Sequence, residues 1–207
     1  MKINLDISSR CTLECPKCLR MYYKVNGKKV PGHDMTLKEY HKIISYFSEV
    51  QFCGNISDPT MNNLLPTFLE INYQNEIETT VDNAASHRPK KWYEKAFKSN
   101  PNATWIFGLD GIPEQSHLYR INQDGVKLFE MMLLAKKEVK NVIWNYIIFK
   151  YNENDLEEAQ KLSNHYGLNI SFIKSSRFNK KDKYKPVNPN HYVERNYENV
   201  KTKMSEW

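Results

Sequence analysis

The sequence of 207 residues lacks the long apolar runs that mark membrane segments. No stretch approaches the roughly 20 apolar residues that a transmembrane helix needs. The N-terminal Met-Lys-Ile-Asn-Leu-Asp lacks the apolar run of a signal peptide, and neither a lipidation motif nor a low-complexity tract is present. These absences predict a soluble protein with no membrane partner, located in the reducing cytoplasm.

Cysteine is also scarce, and it is unevenly distributed. Three of the four cysteines lie within eight residues, at Cys11, Cys15 and Cys18, and none follows Cys53. In a reducing compartment, clustered cysteines indicate metal binding rather than disulfides. The x3 and x2 spacing lets three thiolates converge on one metal centre, and thiolate is the ligand that selects iron–sulfur clusters or zinc.

The number of clustered cysteines separates two hypotheses. Three cysteines leave one iron of a four-iron cubane without a protein ligand, and that iron can bind a substrate or cofactor directly. A structural zinc site instead closes with four ligands, and Cys53 or His33 would supply the fourth. The zinc hypothesis describes a non-catalytic module whose basic surface contacts nucleic acid.

Length and charge limit the remaining classes of protein. A chain of 207 residues fits one domain with a substantial core. The formal charge of +6 and the pI near 9.0 are compatible with nucleic acid or another acidic partner. The lysines are scattered, and their densest group lies near the C-terminus, at Lys180, Lys181, Lys183 and Lys185.

Short β-type runs alternate with amphipathic stretches, which is typical of parallel strands joined by crossover helices. Strands are predicted near residues 3–7, 50–53, 77–81, 104–109, 142–149 and 168–173. Capping boxes predict that helices begin after Thr36 and Asn154, and Gly167 predicts a helix end. Residues 1–178 form the predicted domain, and residues 179–207 a tail that is irregular or partly mobile. A flavodoxin-like open sheet would show the same alternation.

The spacing Cys-x3-Cys-x2-Cys, directly after an alternating strand, resembles the signature of the radical S-adenosylmethionine (SAM) superfamily. The resemblance implies an α/β fold, an incomplete TIM-like (β/α)6 barrel with parallel strands. It also implies that Cys11, Cys15 and Cys18 hold a [4Fe-4S] cluster whose open iron binds SAM. An electron from flavodoxin or ferredoxin would then lead to SAM cleavage and a 5′-deoxyadenosyl radical. Lys17 stands where many members carry an aromatic residue.

A second resemblance covers the loop Phe52-Cys-Gly-Asn-Ile-Ser-Asp-Pro59. It is similar to the family's Gly-Gly-Glu-Pro-type motif, in the Gly-Asp-Pro form of members related to SPASM-type proteins. The resemblance implies SAM contacts from Gly54, Asn55, Ser57 and Asp58, with Ser57 in place of the usual glycine. An ordinary Asx-Pro turn is the other interpretation.

Two more segments resemble family motifs at the ends of strands. Asp82-Asn83-Ala84 is similar to a Thr-Asn-Gly segment, which makes Asn83 a candidate SAM contact. Gly108-Leu-Asp110-Gly111, followed by His117, Tyr119 and Arg120, is similar to a pattern after the fourth strand. Asp110 would meet the SAM ribose or the substrate, and Arg120 would pair with a carboxylate. These two are the candidate catalytic residues, and His117 is as readily a surface residue.

Two later segments are less specific. Ser175, Ser176, Arg177 and Phe178 follow the sixth strand, where Ser175 is a candidate SAM contact. Residues 152–154 occupy the place of a polar family segment that follows Trp144 and Asn145, but capping of the next helix is the preferred interpretation.

The absence of cysteine after Cys53 excludes cysteine-bound auxiliary clusters, so the chain resembles a minimal radical SAM core. A peptide or protein substrate fits the SPASM resemblance, RNA fits the basic charge, and small molecules stay open. A large substrate would help to close the open side of a short barrel. A third hypothesis is a degenerate member that keeps the fold without turnover, for which Ser57 and Lys17 are the only hints.

Overall fold

The computed structural model describes residues 1–179 and 181–194, which form six strands and six α-helices, with one helix between most strands and two between the first pair. The elements in chain order are β1 (Lys2–Leu5), α1 (Leu19–Val25), α2 (Leu37–Ile44), β2 (Glu49–Phe52), α3 (Leu65–Gln74), β3 (Glu78–Asn83), α4 (Lys90–Ser99), β4 (Thr104–Gly108), α5 (Gly125–Glu138), β5 (Asn141–Ile147), α6 (Leu156–Tyr166) and β6 (Asn169–Ile173). Short 3-10 helices span Pro59–Met61, Ser116–Leu118 and Pro189–His191. No helix in this part of the chain has both the length and the apolar character that crossing a bilayer needs.

The sheet is parallel throughout, and its strands lie in the order of the sequence, β1 to β6. A flavodoxin-like sheet reverses its strand order at a switch point. The continuous order therefore excludes that alternative. Within the described residues β1 and β6 each have one neighbouring strand, so the sheet is open. The predicted incomplete TIM-like (β/α)6 barrel is confirmed.

Alternation along the strands separates the core from the barrel interior. In β4, Trp105 and Phe107 are fully buried, and the Trp105 ring meets Phe97 of α4 edge to face at a centroid distance of 4.8 Å. The residues between and after them, Ile106 and Gly108, face the interior. The apolar face of the strand thus packs against the helices, and the opposite face lines the interior of the barrel.

The predicted helix ends are only partly confirmed. At α2 the Thr36 hydroxyl accepts a hydrogen bond from the Glu39 amide (3.3 Å), and the Glu39 carboxylate accepts one from the Thr36 amide (2.8 Å). Gly167 ends α6 in the left-handed conformation, with φ of 60°. The prediction for the start of α6 is wrong, because Asp155 precedes the first turn and Asn154 is exposed.

Helix α1 was not predicted, because it is only seven residues long and buries none of them. The packing of residues 181–194 was not predicted either. There the Lys150 amide donates to the Tyr184 carbonyl oxygen (2.9 Å), and Ser175 forms a parallel bridge with Tyr192. Residue 180 and residues 195–207 of the predicted tail lie outside the described residues.

The helix-capping interpretation of residues 152–154 is wrong. The Asn152 side chain instead accepts a hydrogen bond from the Phe149 amide (2.7 Å) and donates to the Ile147 carbonyl oxygen (3.1 Å). The Glu153 carboxylate accepts hydrogen bonds from the amides of Val187 (2.8 Å) and Asn188 (3.0 Å). Glu153 therefore anchors the C-terminal segment to the barrel.

Candidate functional site

A cavity of about 670 Å³ lies at the carboxyl ends of the strands. This volume is within the usual range for small-molecule sites. Strands β2 to β6 and the loop after β1 all contribute to its wall. The polar lining residues are Cys11, Cys15, Lys17, Cys18, Arg20, Gln51, Cys53, Asn55, Ser57, Asp58, Asp82, Asn83, Tyr119, Arg120, Asn145 and Arg177. The site is thus where a parallel α/β barrel places its chemistry.

The loop after β1 brings its three cysteines to this cavity. A tight turn joins them, because the Cys18 amide donates to the Cys15 carbonyl oxygen (2.9 Å) and the Leu13 amide contacts the Cys11 Sγ (3.4 Å). Cys18 also occupies the residue before the first turn of α1. All three thiols are free and only partly exposed.

Within residues 1–179 and 181–194, no three His, Cys, Asp or Glu side chains gather closely enough to hold one metal ion. A cubane places each cysteine on a different iron atom, so its thiols must share a cavity rather than a single point. Three thiols on one cavity wall fit this requirement. His33 is exposed and contacts Glu39 at 2.9 Å, away from the cavity, so it is not placed as a fourth zinc ligand.

The surroundings of the thiols affect their ionisation. Burial raises the pKa of Cys11 to about 12, and the Asp58 carboxylate adds to the rise. Burial also raises the pKa of Cys15, against the effect of the Arg120 guanidinium, which lowers it. Because a thiol binds iron as the thiolate, Arg120 supplies positive charge where negative charge must form.

Asp6, directly after β1, organises the loop that follows β2. Its carboxylate accepts hydrogen bonds from the Asn55 amide (3.0 Å), the Asn55 side chain (3.1 Å) and the Ser57 hydroxyl (3.0 Å). Gly54 lets the same loop turn tightly, since a Cβ there would lie 2.6 Å from the Ser57 carbonyl oxygen. The sequence analysis missed Asp6, whose only mark is its position at the end of a strand.

Asp58 fixes the same loop to the end of β3. One carboxylate oxygen accepts hydrogen bonds from the Thr60 amide (3.0 Å) and hydroxyl, and the other from the amides of Ala84 and Ala85 (2.8 Å each). The side chain is buried, and these four donors occupy its acceptor sites. Asp58 borders the cavity, but its carboxylate is committed to the protein rather than free for a ligand.

Two polar side chains of adjacent strands form a pair that the sequence analysis did not identify. Gln51 of β2 donates a hydrogen bond to the Asp82 carboxylate of β3 (2.8 Å), and both line the cavity. Burial raises the pKa of Asp82. The neighbouring Asn83 is buried and accepts a hydrogen bond from the Tyr93 hydroxyl (3.3 Å). Its side-chain amide also donates to the Ala85 carbonyl oxygen (3.3 Å), so the predicted candidate Asn83 borders the cavity with both side-chain polar atoms bonded to the protein.

Asp110 and Arg120 form a buried ion pair, with Arg120 Nε 2.7 Å from Asp110 Oδ2. The Ile147 amide donates to the other carboxylate oxygen (2.9 Å). Burial raises the pKa of Asp110 while Arg120 opposes the rise, and Asp110 holds the pKa of Arg120 above its ordinary value despite burial. Asp110 is fully buried and does not line the cavity, whereas Arg120 does. Asp110 is therefore placed as a positioning residue, rather than in contact with a ligand.

Gly108 makes room for this pair. A Cβ at Gly108 would lie 2.7 Å from Arg120 Nη2 and 3.0 Å from its Cζ. The guanidinium therefore occupies the space that a side chain on β4 would take. The position of Arg120 therefore requires a residue without a side chain at Gly108.

Other predicted residues are divided between the cavity and its surroundings. Ser175 is buried outside the lining, where its hydroxyl accepts a hydrogen bond from the Arg177 amide (3.3 Å). His117 is exposed and is not part of the wall. Arg177 and Tyr119 do line it, and the Tyr119 ring stacks on Phe149 at 4.0 Å. The structure thus brings Arg177, but not Ser175, to the cavity.

The C-terminal segment closes one side of the cysteine loop. Lys17 forms an ion pair with Asp182, whose side chain is almost fully buried. Cys15 packs against a small apolar cluster that includes Phe149, Phe178 and Tyr184. Lys17 therefore connects the cysteine loop to residues far away in the sequence.

No family model matches the chain, and no curated protein matches it. Solved structures of radical SAM enzymes do match. The structure of anSMEcpe with bound AdoMet and the Cp18Cys peptide is 19% identical, with a TM-score of 0.66, over 100% of this chain and 59% of that chain. Streptococcus suis SuiB bound to the precursor peptide SuiA is 15% identical, with a TM-score of 0.66, over 83% of this chain and 38% of that chain.

TYW1 with a lysine-pyruvate adduct bound is 15% identical, with a TM-score of 0.60, over 87% of this chain and 67% of that chain. The chain spans 54 to 59% of the length of three anSMEcpe structures, including the one with the Cp18Cys peptide. At these identities the likeness shows the fold, which is that of the radical SAM core. The fold implied by the cysteine motif is therefore confirmed.

Proposed function

We propose that this chain is a radical SAM enzyme that cleaves S-adenosylmethionine to a 5′-deoxyadenosyl radical, which abstracts hydrogen from a substrate. One observation carries the proposal: Cys11, Cys15 and Cys18 line one cavity at the carboxyl ends of an open parallel barrel. The likeness to solved radical SAM enzymes supports the same conclusion from the fold. A zinc module has no such support from the fold.

The residues that would hold the two cofactors lie on different parts of the cavity wall. A [4Fe-4S] cluster, bound by Cys11, Cys15 and Cys18, would supply the electron for reductive cleavage of SAM. The loop 54–58, oriented by Asp6, would bind SAM beside it, and Asn83 would border the bound SAM at the end of β3. Arg120, held by Asp110, places a fixed positive charge at the same cavity. The protein therefore contributes binding and orientation, and the cofactors contribute the chemistry.

We propose a peptide or protein as the substrate. The anSMEcpe and SuiB structures that resemble this chain contain peptides. RNA is the second candidate, which the charge of +6 favours. The proposal includes flavodoxin or ferredoxin as the reductant and a cytoplasmic location, because thiolate ligands need a reducing compartment.

The first experiment measures SAM cleavage directly. The protein is reconstituted anaerobically with iron and sulfide, incubated with SAM and dithionite, and assayed for 5′-deoxyadenosine by mass spectrometry. We expect about four irons and four sulfides per chain, absorption near 400 nm and 5′-deoxyadenosine formation. Cys15→Ala should abolish the product, because a cubane ligand is lost.

Cys53→Ala is the matched control, since Cys53 lines the same cavity without belonging to the motif. It should retain both the iron content and the product. Failure of both variants would make Cys53 a fourth ligand. One tightly bound zinc ion per chain, with no iron after anaerobic purification, would overturn the proposal in favour of the zinc module.

The substrate class is tested with the same assay. Substrates often increase the yield of 5′-deoxyadenosine above the substrate-free rate, because the bound complex is the one organised for reaction. Peptide pools and total RNA from the same cells are added in parallel. A larger yield with peptides supports the proposal, and a larger yield with RNA replaces peptide by RNA.

A further inference from the structure

Helix α1, directly after Cys18, is the least covered helix of the barrel. None of its residues is buried, and the exposed fractions of Leu19, Tyr22 and Val25 are 53%, 55% and 78%. These side chains border a shallow groove of about 500 Å³ on the outer surface. Exposed apolar groups that cluster in this way mark interaction sites.

The charged residues that surround this apolar patch in the sequence are basic. Residues 16–33 contain five Lys or Arg residues and no Asp or Glu. Lys28 and Lys29 are exposed and take part in none of the ion pairs found among the described residues, and Lys28 lies over the Tyr22 ring at 5.6 Å. Lys24 and Lys17, by contrast, pair with Glu14 and Asp182. An acidic partner therefore matches the patch.

The groove and the inner cavity share residues. Cys18, Lys17 and Leu19 line both, so Cys18 separates the outer surface from the cavity by the thickness of one residue. A partner seated on α1 would thus reach a cluster ligand without entering the cavity or displacing SAM and substrate.

We infer that the surface formed by Leu19, Tyr22 and Val25 of α1, with Lys28 and Lys29 just after the helix, is the docking surface for an acidic one-electron donor protein of the flavodoxin class. The inference rests on the proposed function. In the transfer, the reduced flavin loses one electron and the cluster gains it. Electron-transfer pairs use small interfaces, and charge steers their encounter. A small apolar patch beside Lys28 and Lys29 matches this type of contact.

A basic surface also attracts RNA, but two features favour the redox protein. The patch has an apolar centre, whereas backbone binding of nucleic acid depends on positive charge that follows the phosphates. The groove that it borders is also lined by Cys18 itself. RNA binding at α1 is therefore treated as an outcome that would overturn the inference.

The kinetic experiment compares two reductants on the reconstituted enzyme. In Lys28→Glu/Lys29→Glu, dithionite should support wild-type 5′-deoxyadenosine formation, because a small reductant needs no docking surface. With limiting reduced flavodoxin at low salt, the rate should fall about tenfold or more. The difference should shrink as ionic strength rises, since salt screens exposed charges.

Lys95→Glu/Lys98→Glu on α4 is the matched control, because it changes the net charge equally at exposed positions far along the chain from the cysteine loop. It should leave both rates close to wild type. Val25→Ser tests the apolar centre and should slow only the flavodoxin-driven reaction. Equal flavodoxin rates in all variants, or an equal loss in the α4 control, would overturn the inference.

A second readout does not depend on activity. A carbodiimide joins lysine amines directly to partner carboxylates, so flavodoxin cross-links identify the docked surface by mass spectrometry. We expect cross-links at Lys28 and Lys29, and none specific to Lys95 or Lys98. Cross-links confined to other faces would overturn the inference. So would the finding that Lys28 and Lys29 cross-link to RNA but not to flavodoxin. If SAM is not cleaved even with dithionite while these cross-links form, the proposed function fails and the docking surface stands.

Discussion

Arg120 carries its charge to the cavity because Asp110 is buried beside it. Removal of one member of a buried ion pair leaves an uncompensated buried charge. The loss of folding free energy is therefore larger than when one member of a surface pair is removed. The same pair explains why Gly108 has no side chain, since the guanidinium fills that space. At this scale a single substitution tests the arrangement.

Asp110→Asn should lower the free energy of unfolding of the metal-free protein by about 3–5 kcal/mol. Urea unfolding at neutral pH measures it. Asp82→Asn is the matched control, because the Asp82 carboxylate accepts its hydrogen bond from the neutral Gln51 amide, which an Asn oxygen also accepts. It should cost less than about 1 kcal/mol. Equal losses would show that the Asp110–Arg120 pair has no special role in stability.

The cysteine spacing and the resemblance to family motifs predicted part of the site. Cys11, Cys15, Cys18, Asn83 and Arg120 were named from motifs and share the cavity wall. Asp6 was not, because an aspartate after a strand is common and its partners lie about fifty residues away. Asp182 was equally hidden, since only the folded chain brings it to Lys17. Sequence spacing identifies ligands that lie close together in the chain. It does not identify the residues distant in the sequence that position those ligands.

Helices α2 and α6 show that a capping-box pattern in the sequence determines the first residue of a helix in one case and not in the other. Both beginnings contain an acceptor followed three residues later by Glu, yet only Thr36 and Glu39 form the reciprocal bonds. At α6 the helix begins one residue later than the pattern predicts. There the preceding residues are used to attach the C-terminal segment, so tertiary contacts outweigh the local capping preference.

Thr36→Ala should therefore destabilise the protein by about 1 kcal/mol, because an amide of the first turn of α2 loses its acceptor. Asn154→Ala should change the stability by less than about 0.5 kcal/mol, since Asn154 is exposed and caps nothing. Thermal or urea unfolding of the two variants gives the comparison. A larger loss for Asn154→Ala would restore the pattern-based assignment.

The C-terminal segment, residues 181–194, depends on Asp182 for its contact with the cysteine loop. Asp182→Ala should accelerate amide hydrogen exchange in this segment by about tenfold, equivalent to ~1.4 kcal/mol. Glu194→Gln is the control, because its carboxylate is largely exposed and lies 3.9 Å from Lys185. Unchanged exchange in Asp182→Ala, measured by mass spectrometry, would show that the apolar contacts hold the segment by themselves.

For the whole molecule, the six strand-and-helix units were predictable, and the packing of the segment after β6 was not. Alternating strands and helices gave six βα units, and the cysteine loop pointed to the barrel over a doubly wound sheet. The attachment of the segment after β6 required the structure, because Glu153 and its donors are more than thirty residues apart. This attachment has a consequence for the response of the entire fold to acid.

Burial alone would raise the pKa of Glu153, but hydrogen bonds from the amides of Val187 and Asn188 and from His191 hold it below its ordinary value of 4.5. A carboxyl group with a lowered pKa in the folded state stabilises that state above the ordinary pKa, and this contribution is lost as the pH falls through the folded-state pKa. Stability should therefore decrease below about pH 4.5. Glu153 contributes to that loss through the attachment of the C-terminal segment.

Glu153→Gln should lower the free energy of unfolding by about 1–3 kcal/mol at pH 7, because charge-assisted hydrogen bonds become neutral ones. The difference from wild type should narrow as the pH approaches 3, where the wild-type carboxylate also takes up a proton. Urea titrations from pH 7 to pH 3 measure both effects. Glu158→Gln on α6, an exposed position, should follow the wild-type curve. A constant difference at every pH would mean that Glu153 acts through its shape rather than its charge.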